Sequence, residues 1–538
     1  MNQELAYNLL EILQTMQEAA KQMQQQYAAG NIQEFNSLSM DLWDGLTAVK
    51  EIVAQEVPRG SRIRLADACT CALESLKDIK MFVITNPEKV EWKLEYELTP
   101  IIETAAIQFY YWGIVYEHPE KEEEFQAYLK ATDTFALLRV PKEERQYPVD
   151  LSITILAYNH LDYTMQCMES VLHNLPKKIS TEVVLFNHGS TDGTKSFFEG
   201  MENIKVLNAA VNGVMPSLVV KANARGKYFM IISNDVIVGE NALDNLYRCV
   251  KEHPDYGYVV PATPAVSNLQ VIPANYTTHE QFEAFTRSNN QYDEKRQEQR
   301  VRLCNPLHIM PSEVFEKSTL DIYIDKCCNI RPMAFPDDKV SLWMRRNGYK
   351  CILAKDAYCH HFGSVTLKHD LGKEKQQEKF YLDGRKAFMA RYGVDPWGIG
   401  FCYDYDLFDT WEIPSIDNAY VLGINCGLGS NSLKVKEILR EKGAKGVILH
   451  NGTQEERFLE DLRGVSDEAF SFGKLSEIIA KTGRKNYNYI VVEGTVLGSN
   501  PNNIVQEIIE AGLAFEKLAY KTPQGQWKIF KYQKEEER

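Results

Sequence analysis

An apolar run bounded by polar turns, Leu151 to Tyr158 (LSITILAY), is followed by a helix-periodic stretch from Tyr163 to Leu172 and a second apolar run from Glu182 to Phe186. Strand, helix and strand in that succession specify a parallel sheet with right-handed crossovers, because parallel neighbours need a long return connection. The next expected strand, Tyr228 to Ile232, ends in Ser233-Asn234-Asp235. Ligands of such sheets gather beyond the carboxyl ends of the strands, so the polar residues at those ends are the candidates for function.

At 538 residues the chain is longer than one hydrophobic core usually serves, and about three domains are expected. Residues 1–138 carry helical periodicity, with Leu5, Leu9, Ile12, Leu13 and Met16 marking one apolar face and further stripes from Leu46 to Val53 and Leu73 to Phe82. That predicts an all-α domain, in which Phe109-Tyr110-Tyr111-Trp112 packs as core rather than forming a ligand box. Prolines and charges make 139–150 a linker. The α/β domain then covers 151–395, and a second linker covers 396–415. A second α/β unit over 416–538 draws buried strands from Tyr420 to Ile424, Gly446 to Leu449 and Tyr489 to Val492. The terminal KEEER is a solvated tail.

A formal charge of −14 and a pI near 5.4 exclude a general nucleic-acid binder, which gains affinity from clustered Lys and Arg. Any bound phosphate belongs to a local site. The start, MNQELAYNLLEILQ, lacks the basic flank and apolar core of a signal peptide. No stretch approaches the roughly 18 apolar residues of a membrane span. Eleven cysteines without paired metal-site spacings, including adjacent Cys327-Cys328 and Cys69-x-Cys71 in a helical pattern, read as reduced thiols. A soluble, cytoplasmic protein is expected.

Three features of the middle domain suggest chemistry. Asn187-His188-Gly189-Ser190-Thr191-Asp192-Gly193-Thr194 closes a strand with small residues that admit a ligand to the backbone, although such a run is also an ordinary turn. Asn234-Asp235 places a carboxylate where a divalent cation carrying a diphosphate would need one; a lone Asp there is also a common cap. Asp337-Asp338 precedes the helix expected from Val340 to Asn347, and His360-His361 follows the strand expected from Cys351 to Tyr358. Paired carboxylates can supply a base and a nearby His can complete a metal shell. Taken singly, they read equally as helix-capping acids and an interfacial His.

The order LSITILAYNHLDYTMQCMESVL, EVVLFNHGSTDGT, ARGKYFMIISNDVIV and FPDDKVSLWMRRNGYKCILAKDAYCHHFGS resembles the family 2 glycosyltransferases of the GT-A fold, over about residues 150 to 395. The resemblance implies a hexosyltransferase-type enzyme that uses a nucleotide sugar, a UDP-sugar foremost, with a divalent metal, Mn²⁺ or Mg²⁺. It implies that Ala157, Tyr158, Asn159, Asn187 and Asp192 border the nucleotide. Asn212, Gly213 and Arg225 match the segment before the metal strand. Asp235 matches the metal carboxylate, with Asn234 where another Asp is frequent, and Asn187 stands where the family usually has Asp. Asp337 matches the base, with Asp338 the alternative if the register slips by one. His360 and His361 match a late His near the metal or diphosphate. Displacement by an acceptor hydroxyl then inverts the anomeric centre.

YVLGINCGLGSNSLKVKEIL and YIVVEGTVLGSNPNNIVQEI resemble S-adenosylmethionine-dependent methyltransferases, which implies a Rossmann-like last domain. Gly423 and Asn425 depart from that pattern, and His450-Asn451 stands where a ribose-binding acid is expected. A degenerate domain follows from the resemblance. The implied acceptor is a protein, such as a bacterial flagellin, or a surface-glycan precursor, and the helical domain serves acceptor binding or homo-oligomerisation. The rival functions are a catalytically inactive scaffold and a methyltransferase targeted by the middle domain.

Overall fold

Five long or medium helices open the chain: Gln3–Ala28, Ile32–Glu56, Leu65–Thr85, Thr99–Tyr110 and Glu122–Ala131. The computed structural model describes residues 3–56, 65–115, 117–131, 142–208, 224–318, 335–363 and 374–531. Leu9, Leu13, Met16, Ala20 and Met23 are buried along the first helix at alternating spacings of three and four, the signature of one helical stripe. Ile12 was expected on that stripe but is 38% exposed; it lies about 60° round the helix from Leu9, on the side away from buried Ala6 and Leu10. The aromatic run packs as expected, with Phe109, Tyr110 and Tyr111 buried and the Tyr110 ring 5.1 Å from that of Phe125.

Described residues of Met1–Val236 and Pro311–Ile330 form one compact unit, and those of Ile237–Met310, Arg331–Gly363 and Lys368–Arg538 a second. In the first, β1 (Val149–Ala157), β2 (Thr181–Asn187), β3 (Lys205–Asn208) and β4 (Gly226–Ser233) lie parallel in the order β3-β2-β1-β4. The expected helix between β1 and β2 spans Leu161–His173. The buried faces are Val-, Ile- and Leu-rich, as a sheet covered on both sides requires. Gly226 is required sterically: a Cβ there would stand 2.3 Å from the Ser152 nitrogen. The helices join this unit through charge as well as packing. Buried Glu97 pairs with Lys93 at 2.9 Å and Lys195 at 3.5 Å and accepts from the Asn208 amide at 3.4 Å.

The second unit holds β5 (Val236–Val238), β6 (Tyr256–Ala262), β7 (Gln297–Arg300), β8 (Leu307–Pro311) and β9 (Lys350–His361), with β8-β6-β9-β5 in order and β7 antiparallel to β9. Its last part is the sheet β12-β11-β10-β13-β14-β15. The strands are β10 (Asn418–Ile424), β11 (Gly446–Thr453), β12 (Glu468–Ser471), β13 (Asn486–Val492), β14 (Ala514–Lys521) and β15 (Trp527–Lys531). All neighbours are parallel except β14 and β15. The chain winds outward both ways from β10, which is the doubly wound, Rossmann-like arrangement. The expected fold class, an α/β chain with a helical beginning and two successive α/β sheets, is therefore observed. Among the described residues, no helix is long and apolar enough to cross a membrane.

Two boundaries moved. The helix expected from Val340 begins at Pro336, where proline's fixed φ suits the first helical position, so Asp337 and Asp338 lie inside its first turn. β9 continues to His361, so His360 and His361 end the strand rather than follow it.

Candidate active site

In the first unit the ends of β1, β2 and β4 are cross-tied by side chains. After Ala157, whose carbonyl accepts from the His188 N–H at 2.8 Å, Asn159 and His160 adopt left-handed φ of 54° and 58°. Asn tolerates that conformation better than most residues. The Asn159 N–H donates to Ser190 Oγ at 2.9 Å, and its Oδ1 accepts from the Thr191 N–H at 2.8 Å. Tyr158 and Asn159 remain half-buried, so their surfaces are open to a ligand.

Asp192 caps two helices at once, accepting from the Leu161 N–H at 3.0 Å and from the Thr194 N–H and hydroxyl at 3.1 and 2.7 Å. Burial pushes its carboxyl up, but the hydrogen bonds from Thr194 and Leu161 outweigh that and hold it below the usual carboxylate range. A depressed carboxylate stabilises the fold above its ordinary pKa, and that contribution fades as pH falls through the lower folded value. Asp192→Ala is expected to lower unfolding free energy by about 1–2 kcal/mol in a denaturant melt.

The two departures from acidic residues have structural partners. Asn234 donates through Nδ2 to the Asn159 carbonyl at 2.9 Å and to Thr164 Oγ1 at 2.8 Å. A carboxylate has no donor to replace the first of these bonds. Asn187 accepts from the Ser190 N–H at 2.9 Å and donates to Asn208 Oδ1 at 2.9 Å, its strand partner in register. A carboxylate at 187 would set like charge towards Glu97, which the Asn208 amide also meets. Beyond them Asp235 is buried, 7% exposed, at the carboxyl end of β4.

Within this unit the structure gathers Ala157, Tyr158, Asn159, Asn187, Asp192, Asn234 and Asp235 at the carboxyl ends of the strands. Arg225 is not among them. The register Val149 with Gly226 and Leu156 with Ser233 sets Arg225 at the amino end of β4, about 25 Å along the strand. There it pairs with Glu182 at 3.0 Å, a structural contact. Asn212 and Gly213 lie outside the described residues. Asn208 and Thr164 were missed; an Asn closing the short run Lys205 to Leu207 was the available signal for the first.

In the second unit, Asp337 and Asp338 differ sharply. Asp338 is buried against Arg302, with oxygens 2.7 and 3.1 Å from that guanidinium. Burial pushes its carboxyl up to about 6, against the pull of Arg302 and Arg345. Asp337 is half-buried and accepts from the Asn305 N–H at 3.4 Å. His361 Nδ1 lies 2.6 Å from the Ala265 carbonyl. A carbonyl only accepts, so Nδ1 carries the proton and Nε2 the lone pair, the tautomer a metal ligand needs. His360 Nδ1 meets the Tyr276 hydroxyl at 2.6 Å among the rings of Phe282 and Phe362, and burial and then His361 lower its pKa. Arg302 and Asn305, missed in the sequence, hold the two carboxylates. Among the described residues, no cluster of three or more His, Cys, Asp or Glu side chains is placed to hold a metal by itself.

The loop after β10 has the glycines of a nucleotide site, but the chain itself occupies it. The Leu428 and Ser430 N–H groups donate to the Ile399 and Gly400 carbonyls, both at 3.0 Å. A Cβ on Gly427 would stand 2.0 Å from the Ile399 oxygen, and Gly427 has φ +56°. Asn425 Nδ2 bonds Gln454 and the Thr495 carbonyl, both at 2.9 Å. Asn451, where an acid was looked for, is buried against Ser432 and Ser466 at 2.8 Å each.

Polar turns and one buried acid stand at the carboxyl ends of the parallel sheet, where ligands of such folds gather. Residues 152–310 match the family described as glycosyl transferase family 2. Over 108 residues the chain is 29% identical to "Glycosyltransferase GlyG" of Streptococcus pneumoniae serotype 4 (strain ATCC BAA-334 / TIGR4), covering 19% of this chain and 35% of that relative. The chain thus matches about a third of the relative's length. Among solved structures it is similar to GalNAc-T7 with UDP, GalNAc and Mn²⁺, at 12% identity and TM-score 0.34, over 52% of this chain and 61% of that one. It is similar also to the mannosyltransferase PcManGT of Pyrobaculum calidifontis with GDP-Man and Mn²⁺, at 12% identity and TM-score 0.29, over 70% and 88% of the two chains. At such scores these likenesses lend the assignment no weight.

Proposed function

We propose that the protein transfers a sugar from a nucleoside-diphosphate donor, a UDP-sugar foremost, to an acceptor hydroxyl on a protein or a glycan. The observation that carries this reading is the polar cluster ending in buried Asp235, inside the segment that matches the family. Tyr158 and Asn159 border the nucleotide. Asp235 is the residue that would hold a divalent cation, Mn²⁺ or Mg²⁺. The donor fits: one hard carboxylate suits a cation whose other ligands are phosphate and water. When bound, the cation supplies Lewis acidity towards the leaving diphosphate.

Asp337 takes the proton of the acceptor hydroxyl as its oxygen attacks the anomeric carbon and the bond to the diphosphate breaks. The pairing of Asp338 with Arg302 supports Asp337 as the base, and one displacement inverts the anomeric configuration. Thermal unfolding tests whether the donor site is formed. UDP with Mn²⁺ is expected to raise the midpoint, with no rise from UDP in chelator; equal midpoints in both would contradict a metal-linked site.

The last sheet takes no part in methyl transfer in this reading, because its glycine-loop N–H groups are already bonded to Ile399 and Gly400. Calorimetric titration with S-adenosylmethionine at about millimolar concentration should show no saturable binding. A saturable heat would revive the methyltransferase alternative.

A further inference from the structure

We infer that the carboxyl-terminal sheet positions the base: Asp461 is a positioning residue for Asp337, acting along one helix through Arg345 and Arg346. The inference rests on the glycosyl-transfer reading for what Asp337 does, and on its own geometry for how that residue is held.

The helix Pro336–Arg346 carries Asp337 in its first turn and Arg345-Arg346 in its last. Asp461 lies in the short helix Leu459–Arg463 of the carboxyl-terminal sheet and is fully buried. One carboxylate oxygen meets Arg345 at 2.8 Å and the other meets Arg346 at 2.9 Å, so each oxygen is fixed by a different guanidinium. Arg345 also donates to the Val301 carbonyl. The backbones themselves touch: a Cβ on Gly464 would stand 2.8 Å from the Arg345 carbonyl oxygen, a contact only glycine permits.

The same sheet holds the other side of the carboxylate pair. The Gln299 N–H donates to Glu437 at 3.1 Å, and the Gln299 amide donates to the Gly464 carbonyl at 3.2 Å. Three to six residues on from Gln299, Arg302 and Asn305 make the contacts to Asp338 and Asp337. Both supports of the base therefore end on the carboxyl-terminal sheet.

A helix of this length is a stiff rod, so about 12 Å of it transmits a shift at Arg345 to Asp337. Displacing a reacting group by about 1 Å can lower a rate about a hundredfold. A domain without an open nucleotide crevice thus retains a task, which is to fix where the base stands.

The test compares full-length wild type with Asp461→Asn and the milder Arg346→Gln, using hydrogen–deuterium exchange of the segment 335–346 together with donor KM and kcat per folded molecule. Exchange in the first helical turn should rise about tenfold while β10 and β13 keep their protection. The kcat should fall about ten- to a hundredfold at unchanged donor KM. Unchanged exchange and kcat in both variants would overturn the inference. Loss of protection throughout the sheet in both would do so too, since Asp461 would then only maintain the fold. If wild type turned over no donor, the transfer reading would fall while the exchange result still decided whether Asp461 holds the helix.

Discussion

Asp337→Asn is expected to lower kcat by about 10²–10⁴, the usual contribution of a positioned general base, or about 3–5 kcal/mol of barrier. Donor KM should stay near the wild-type value, because an amide has the same shape and the lost proton acceptor matters only as the hydroxyl attacks. Asp338→Asn should behave differently. It removes the partner of a buried guanidinium, Arg302, and should act chiefly on stability, by about 3–5 kcal/mol. Initial rates over a donor series, read beside a denaturant melt, separate the two. If Asp338→Asn lost turnover while remaining stable and Asp337→Asn did not, the base would be misassigned.

Asp235→Ala is expected to lower kcat/KM by about 10³, since it removes the carboxylate proposed for the cation and with it part of the charge stabilisation of the leaving diphosphate. The loss should show as weaker metal activation, by more than the roughly 10–100-fold that outer-shell changes cost. Wild type stripped with chelator should match the variant, and Mn²⁺ or Mg²⁺ should restore only the wild type. Equal metal titration curves for the two proteins would remove Asp235 from the metal site.

Much of this site was legible because apolar runs mark strands and strands point their carboxyl ends at ligands. The place of Asn187, Asn234 and Asp235 at the carboxyl ends of strands could be read that way. Arg225 came from the resemblance rather than from that reading: it precedes a strand, and the parallel register puts it at the opposite end from Ser233. Asn187 and Asn234 read as weakened acids in the sequence. Their amide donors to Asn208, Asn159 and Thr164 depend on pairings across up to 75 residues, which local pattern cannot express. Arg302 and Asp461 escaped notice for the same reason, since each is an ordinary charged residue until a distant element buries it. The glycine loop was recognised as altered, but its occupation by Ile399 and Gly400 needed the fold.

Glycosyl transfer from a nucleotide sugar is tested by nucleoside-diphosphate release from a panel of UDP- and GDP-sugars with Mn²⁺ or Mg²⁺. Wild type, Asp235→Ala and Asp337→Asn would be compared. Release from one donor by the wild type, lost in both variants, is the expected result. No release from any donor, with no metal-linked nucleotide binding, would contradict it and leave a binding scaffold as the better reading.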